Sequence, residues 1–188
     1  VTDDASMDQA FAELEKAFGT IDFVVHSVAF ANKDELKGSF VDNTSRDSFL
    51  LAMNISAFSF VDVAKRASKL MPNGGSLVTM TYLGSERAIP NYNTMGVAKA
   101  ALEAATRYIA RDLGPKGIRV NTVSPGYIRT AINDAWFDTE PGKKQIAKFP
   151  KRRLMGEEGL DAMMLFLCSD ASEFVTGTNF VLDDGQTL

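Results

Sequence analysis

Short β-branched runs alternate with long amphipathic stretches along this chain, and the alternation limits the fold more than any other feature. The runs at residues 21–29, 76–81, 118–123 and 179–182 are apolar and rich in Val and Ile, and turn residues such as Gly74-Gly75 and Gly117 flank them. They read as buried strands. Between them lie helical patterns. Met7, Ala10, Phe11, Leu14, Ala17 and Phe18 recur at helical spacing, with Ser6 as the expected N-cap, Gln9 completing a capping box and Gly19 as the stop. Further helices are expected from about residue 44 or 45 to 70, from 92 to 113 and from 157 to 167, while 129–155 reads as irregular and polar. Strands alternating with long helices predict an α/β fold, a doubly wound parallel sheet of Rossmann type. A length of 188 residues favours one domain spanning 1–188. Ligands in such sheets lie beyond the carboxyl ends of the strands. That rule directs attention to residues 27–31, 81–83 and 124–130.

Composition removes several function classes. The net charge is -4 and both signs are interspersed, which argues against a nucleic-acid binder. Cys168 is the only cysteine and His26 the only histidine. An intrachain disulfide, a Cys-based zinc site, a His-cluster metal site and a Ser-His-Asp triad all lack their residues, so no metal is expected. His26 is read as structural. A reducing, cytoplasmic setting fits. No uninterrupted apolar run approaches the roughly 18 residues needed to cross a bilayer, so no membrane span is expected. Residues 1–4 do not read as a signal peptide.

Tyr82, Tyr92 and Lys99 carry the chemistry. Tyr82 ends a predicted strand, and Tyr92 and Lys99 stand seven apart on one face of a predicted helix. A phenol is a poor acid near neutral pH, but a nearby ammonium lowers its pKa, so such a pair suits acid and electrostatic roles. The spacing alone is weak, since a half-buried Tyr near a solvated Lys is the commoner arrangement. The surrounding words are stronger. The segment Thr81-Tyr82-Leu83-Gly84-Ser85 through Tyr92-Asn93-Thr94-Met95-Gly96-Val97-Ala98-Lys99 resembles the active-site segment of the NADH-type enoyl-acyl-carrier-protein reductases, with their Tyr-x6-Lys signature. Leu113-Gly114-Pro115-Lys116-Gly117 and Ser124-Pro125-Gly126 resemble the wider short-chain dehydrogenase/reductase superfamily. Most of that superfamily uses Tyr-x3-Lys with a Ser thirteen residues before the Tyr. Here those two positions hold Met95 and Tyr82.

The resemblance implies reduction of a trans-2-enoyl thioester on acyl carrier protein, in fatty acid synthesis, with NAD as cofactor (NADH, with NADPH left open). It implies Tyr92 as the donor to the thioester oxygen, Lys99 on the nicotinamide ribose, and Tyr82 lining the substrate pocket. Val1, Ser27, Val28, Ile128, Arg129, Thr130, Ala131 and Ile132 match cofactor-contacting positions, and Ala31, Tyr82 and Tyr92 match substrate contacts. Ser27 as a strand-end cap and Ile128 as a loop anchor stand beside those readings. Trp136 and Phe137 read as loop anchors or as acyl-chain surface. A homotetramer is implied.

Three features depart from the pattern. No Gly-rich turn follows a strand within the 188 residues. A phosphate-cradling βαβ unit is therefore expected upstream of Val1, with the chain covering the C-terminal two-thirds of the fold and the N-terminal strands missing. Asn54 replaces a usual Asp and Ala29 a usual Gly, and Asp183-Asp184-Gly185-Gln186 is unusual for enoyl reductases. A carbonyl- or alcohol-acting dehydrogenase and an inactive truncated subunit remain as alternatives.

Overall fold

A computed structural model describes residues 1–131 and 133–188. Helix α1 (Asp4–Phe18) starts earlier than its apolar pattern predicts. Asp3 rather than Ser6 is its N-cap, and the Asp3 carboxylate accepts from the Ser6 amide at 2.6 Å. A charged acceptor at the positive end of the helix dipole outcompetes a neutral hydroxyl. Then follow β1 (Phe23–His26), α2 (Phe40–Asn43), α3 (Arg46–Met53), a π-helical turn (Asn54–Phe58), α4 (Ser59–Ala67) and β2 (Gly75–Met80). The chain continues through α5 (Asn93–Leu113), β3 (Ile118–Pro125), α6 (Asp134–Phe137), α7 (Glu140–Ile146), α8 (Asp161–Cys168) and β4 (Asn179–Leu182).

Among the described residues the strands form one parallel sheet in the order β1-β2-β3-β4. Side chains alternate across it, and both faces are covered over the central strands β2 and β3. Leu77, Ile118 and Val120 pack with Phe60, Ala64, Leu102 and Ile109 of α4 and α5. Val78 and Val123 pack on the other face with Leu167 of α8, beside Met163, Met164 and Phe166. Burial on both faces is why the strands read as continuous apolar runs. The result is the expected Rossmann-like α/β sheet. β1 lies at its edge, with Phe23 and Val25 exposed.

Several expectations need correction. The helix expected from 44 or 45 to 70 is capped by Ser45 but interrupted by the π-helical turn. Residues 129–155 contain two short helices, α6 and α7. The helix expected from 157 begins as a 3-10 turn before α8. The stretch Arg46–Ala67, 22 residues with mean hydropathy 1.3, is long and apolar enough to cross a membrane. Half of that window is buried inside the protein, where Ala52, Phe60, Ala64 and Ala67 form core, and packing accounts for its apolarity.

His26 closes β1 and is buried. Its Nδ1 lies 2.9 Å from the Thr79 hydroxyl and its Nε2 lies 2.8 Å from the Ser59 hydroxyl. The ring ties β1 to β2 and to α4, the structural role expected of it. Burial, aided by the Lys99 charge, pushes its pKa down from 6.5 to about 4. The native state therefore holds the ring neutral where the unfolded chain binds a proton. The stability this contributes is complete above pH 6.5 and is lost as pH falls toward 4, up to about 3 kcal/mol. Urea unfolding of wild type and His26→Gln across that window should show a steeper acid loss in the wild type. Parallel curves would contradict the buried neutral ring.

Candidate active site

Three segments meet at the carboxyl end of the sheet. The first is the loop after β1. Ser56, in the π-helical turn, accepts from the Phe30 amide at 2.9 Å and donates to the Phe30 carbonyl at 3.0 Å. One buried side chain thus satisfies both backbone groups of a loop residue. The wider π-helical turn presents Ser56 and Ser59 toward β1, a use of such turns that recurs at functional sites. Ser27 and Val28 remain exposed in this loop. Ala31 is buried with Ala52, Met95 and Ala98, and Tyr92 packs against this cluster.

The second segment joins β2 to α5. Tyr92 is not inside the helix, as its spacing with Lys99 suggested, but is the N-cap residue of α5 with φ -113°. Asn91 and Asn93 beside it take positive φ, 61° and 34°. Asn tolerates that region better than most residues, and here the side chains are also bonded. Asn91 accepts from the Gly38 amide at 3.2 Å, and Asn93 donates to the Glu35 and Gly38 carbonyls at 3.3 Å. The Tyr92 ring meets Tyr82 edge-on, with centroids 4.9 Å apart at 63°. Its other side faces Gly84. Lys99 is buried, and its Nζ donates to the Met80 carbonyl at 2.7 Å. Burial pushes the Lys99 ammonium down to about 8, opposed by the Glu103 carboxylate. Burial raises the pKa of both Tyr92 and Tyr82, and a hydrogen bond with Tyr127 adds to the rise at Tyr82. The expected lowering of Tyr92 by the ammonium is therefore not found. Desolvation dominates, because the Lys99 charge is turned onto the Met80 carbonyl. Both phenols are neutral donors.

The third segment follows β3. Tyr127 stands edge-on to Tyr82 at 6.2 Å and to Phe137 at 6.1 Å, and stacks on Phe149 at 5.5 Å. Gln186 fixes its backbone: Oε1 accepts from the Tyr127 amide at 2.5 Å and Nε2 donates to the Tyr127 carbonyl at 3.4 Å. Gly126 allows this approach, since a Cβ there would lie 2.6 Å from Gln186 Oε1. The unusual Asp183-Asp184-Gly185-Gln186 segment is thus a clasp. Asp183 accepts from the Gly185 and Thr187 amides, and Asp184 pairs with Lys151 and Arg153. Ile128 bridges Met155, the Thr130 amide donates to Asn133 at 2.7 Å, and the Arg129 guanidinium is held by Asp134 and Asp138. Ala131 and Val1 are exposed. Ile132 lies outside the described residues. Phe137 is a buried anchor, whereas Trp136 is 43% exposed.

Comparison with known proteins places the chain. The family profile described as Enoyl-(Acyl carrier protein) reductase matches residues 1–187. The chain belongs to this family. The NADH-type enoyl-[acyl-carrier-protein] reductase FabI of Bacillus cereus is 49% identical over 189 residues, covering 100% of this chain and 73% of the relative. The Escherichia coli FabI is 43% identical over 192 residues, covering 100% and 72%. The crystal structure of the Bacillus cereus enoyl-acyl carrier protein reductase, with NADP+ and an indole naphthyridinone, superposes with TM-score 0.92 at 48% identity, covering 100% of this chain and 73% of that one. The Anaplasma phagocytophilum reductase in complex with NAD gives TM-score 0.89 at 42% identity, covering 98% and 68%.

In this enoyl reductase family member, Met95 at the superfamily's usual Tyr position is core, 7% exposed. Asn54 opens the π-helical turn, whose wide bond from the Ser59 amide to the Asn54 carbonyl uses backbone atoms only. The sequence did not single out Ser56 or Ser59; it reached Tyr127 only through the strand end at 124–130, and Gln186 only as part of an unusual segment without its role. For the two serines a signal existed: polar residues three apart within an apolar helical run. For Gln186 there was none, because its partner is 59 residues away.

Proposed function

We propose that this chain reduces a trans-2-enoyl thioester, carried on acyl carrier protein, to the saturated acyl thioester at the expense of NADH, with NADPH as the alternative hydride source. The observation that carries the reading is that Tyr92, at the cap of α5, stands edge-on to Tyr82 while Lys99 is anchored to the end of β2 and Met95 is sealed in the core. A carbonyl reductase of this superfamily would need a hydroxyl where Met95 is.

The donor set at the strand ends fits the nicotinamide and ribose part of a dinucleotide. It comprises the exposed loop at Ser27 and Val28, the Lys99 ammonium, and the ordered backbone from Ile128 through Thr130. Arg129, Ala131, Val1 and Ile132 complete the proposed cofactor contacts. When bound, the reduced nicotinamide supplies a hydride to the β-carbon. Negative charge then grows on the thioester oxygen, and uptake of a proton at the α-carbon returns the enolate to the saturated thioester. Tyr92, kept neutral by burial, donates its hydroxyl proton in a hydrogen bond to that oxygen, and a donor already in place needs no reorganisation as charge develops. Lys99 holds the ribose hydroxyls and adds positive potential. Tyr82 and Ala31 wall the acyl side.

Loss of absorbance at 340 nm (roughly the reduced-nicotinamide band) tests the assignment. The protein should oxidise NADH with crotonyl thioester and leave 3-oxoacyl thioesters untouched. Turnover of the 3-oxoacyl compounds alone would overturn it. Exposed Leu50, Leu51, Phe58 and Val61 on the α3–α4 stretch and Val97 and Tyr108 on α5 support a homo-oligomer, proposed as a tetramer. A cytoplasmic location accords with this role.

A further inference from the structure

Lys99 and Glu103 stand one helical turn apart on α5, so their side chains leave the same face. They do not simply pair with each other. Lys99 donates to the Met80 carbonyl at 2.7 Å, and Glu103 accepts from the Thr81 hydroxyl at 2.6 Å. Two side chains four apart on a helix thus grip two consecutive residues where β2 ends. The next residue is Tyr82. Thr81 is buried, and Lys99 is 6% exposed.

We propose that Glu103 is a positioning residue for the reaction: latched to Thr81, its carboxylate keeps Lys99 charged and in place at the end of β2. The idea rests on the enoyl-thioester reading for the role of Lys99, and on the geometry of β2 and α5 for the role of Glu103. The groups around the ammonium make a carboxylate necessary. Burial disfavours the charge on Lys99. From β1 comes the His26 imidazole, held neutral by burial. The Tyr82 and Tyr92 phenols, on the turn after β2 and at the cap of α5, are neutral too and supply no negative charge. Met80 offers only a carbonyl dipole. Among the described residues, Glu103 is the carboxylate whose charge acts on Lys99. An ammonium in such surroundings loses its proton more readily unless an anion is close.

Two variants separate charge from latch. Glu103→Gln keeps an amide oxygen to accept from Thr81 but removes the charge. Thr81→Val removes the latch and keeps the charge. Activity with crotonyl thioester falls as pH rises and Lys99 deprotonates, starting from a wild-type value of about 8. In Glu103→Gln that alkaline limb should move down by about one pH unit, the scale expected for losing an opposite charge at close range. In Thr81→Val it should stay within about 0.3 unit, and kcat should fall. An unmoved limb in Glu103→Gln overturns the proposal. If the protein reduces no enoyl thioester, the function reading has failed but the proposal is still decided. The Lys99 Nζ resonance of lysine-labelled protein, assigned with Lys99→Arg, then reads the same midpoint by NMR. A lower midpoint in Glu103→Gln supports the role of Glu103, and an equal one ends it.

Discussion

Tyr92→Phe should lower kcat for enoyl-thioester reduction by about 10²–10³-fold while leaving KM for the nicotinamide within about threefold. The ring sits against Tyr82 and the Ala31–Met95 cluster, and a phenyl group fills the same space. Only the hydroxyl goes. In the ground state that hydroxyl meets a weakly polar carbonyl, but as hydride adds, the same oxygen takes on negative charge. A buried donor gains most at that moment, because water is not there to replace it. The loss belongs to kcat for that reason. Tyr82→Phe should cost less, since Tyr82 is read as a wall of the acyl pocket and not as the donor to the thioester oxygen. Steady-state kinetics of both variants, with thermal unfolding to confirm an unchanged fold, check the ordering. A Tyr92→Phe enzyme within about threefold of wild type would assign the donor elsewhere.

The parallel sheet was legible because its strands are buried on both faces. Leu77 and Val78 point opposite ways and both meet helices, so β2 shows as a short buried run with no alternation of charged residues between Gly74-Gly75 and Tyr82. The strand at residues 118–125 follows the same rule, whereas 179–182 is only half-buried, with Val181 exposed. The π-helical turn was not legible. It inserts its extra residue inside an apolar stretch that reads equally well as plain helix, and only the targets of Ser56 and Ser59 reveal it. Tyr92 was placed inside a helix because periodicity counts spacing and does not sense φ. The nearby Pro90-Asn91 and Asn93 were the available warning, since these types gather where the backbone leaves the helical region. At the candidate site, Tyr82, Tyr92 and Lys99 stood out by pattern and resemblance. Their supports did not. Glu103 looks like any helix carboxylate until Thr81 is found beside it, and Gln186 like any polar tail residue until it clasps Tyr127.

Gly84 carries the second large effect. Its backbone needs no special dihedral, as its φ is not positive, so conformational freedom does not explain it. Space does. A Cβ built on Gly84 would lie 2.6 Å from Cε1 of Tyr92 and closer still to Cδ1. The ring cannot retreat, because Tyr82 stands edge-on at 4.9 Å and Ala31, Ala52 and Met95 close the space around it. The turn cannot retreat either: its own Gly84 carbonyl would meet a Cβ on Gly96 at 2.7 Å, so α5 already abuts it. Gly84→Ala must therefore push the Tyr92 hydroxyl from its place. A shift of about 1 Å in a catalytic group can cost about 10²-fold in rate, and overpacking adds about 1–3 kcal/mol of destabilisation. Gly114→Ala, where a Cβ meets nothing within 4 Å, is the matched control and should be silent. The decisive measurement is a double-mutant cycle. If Gly84 acts through Tyr92, adding Gly84→Ala to Tyr92→Phe should cost little further activity, because the hydroxyl it would displace is already gone. Full additivity of the two losses would mean that Gly84 serves another part of the site.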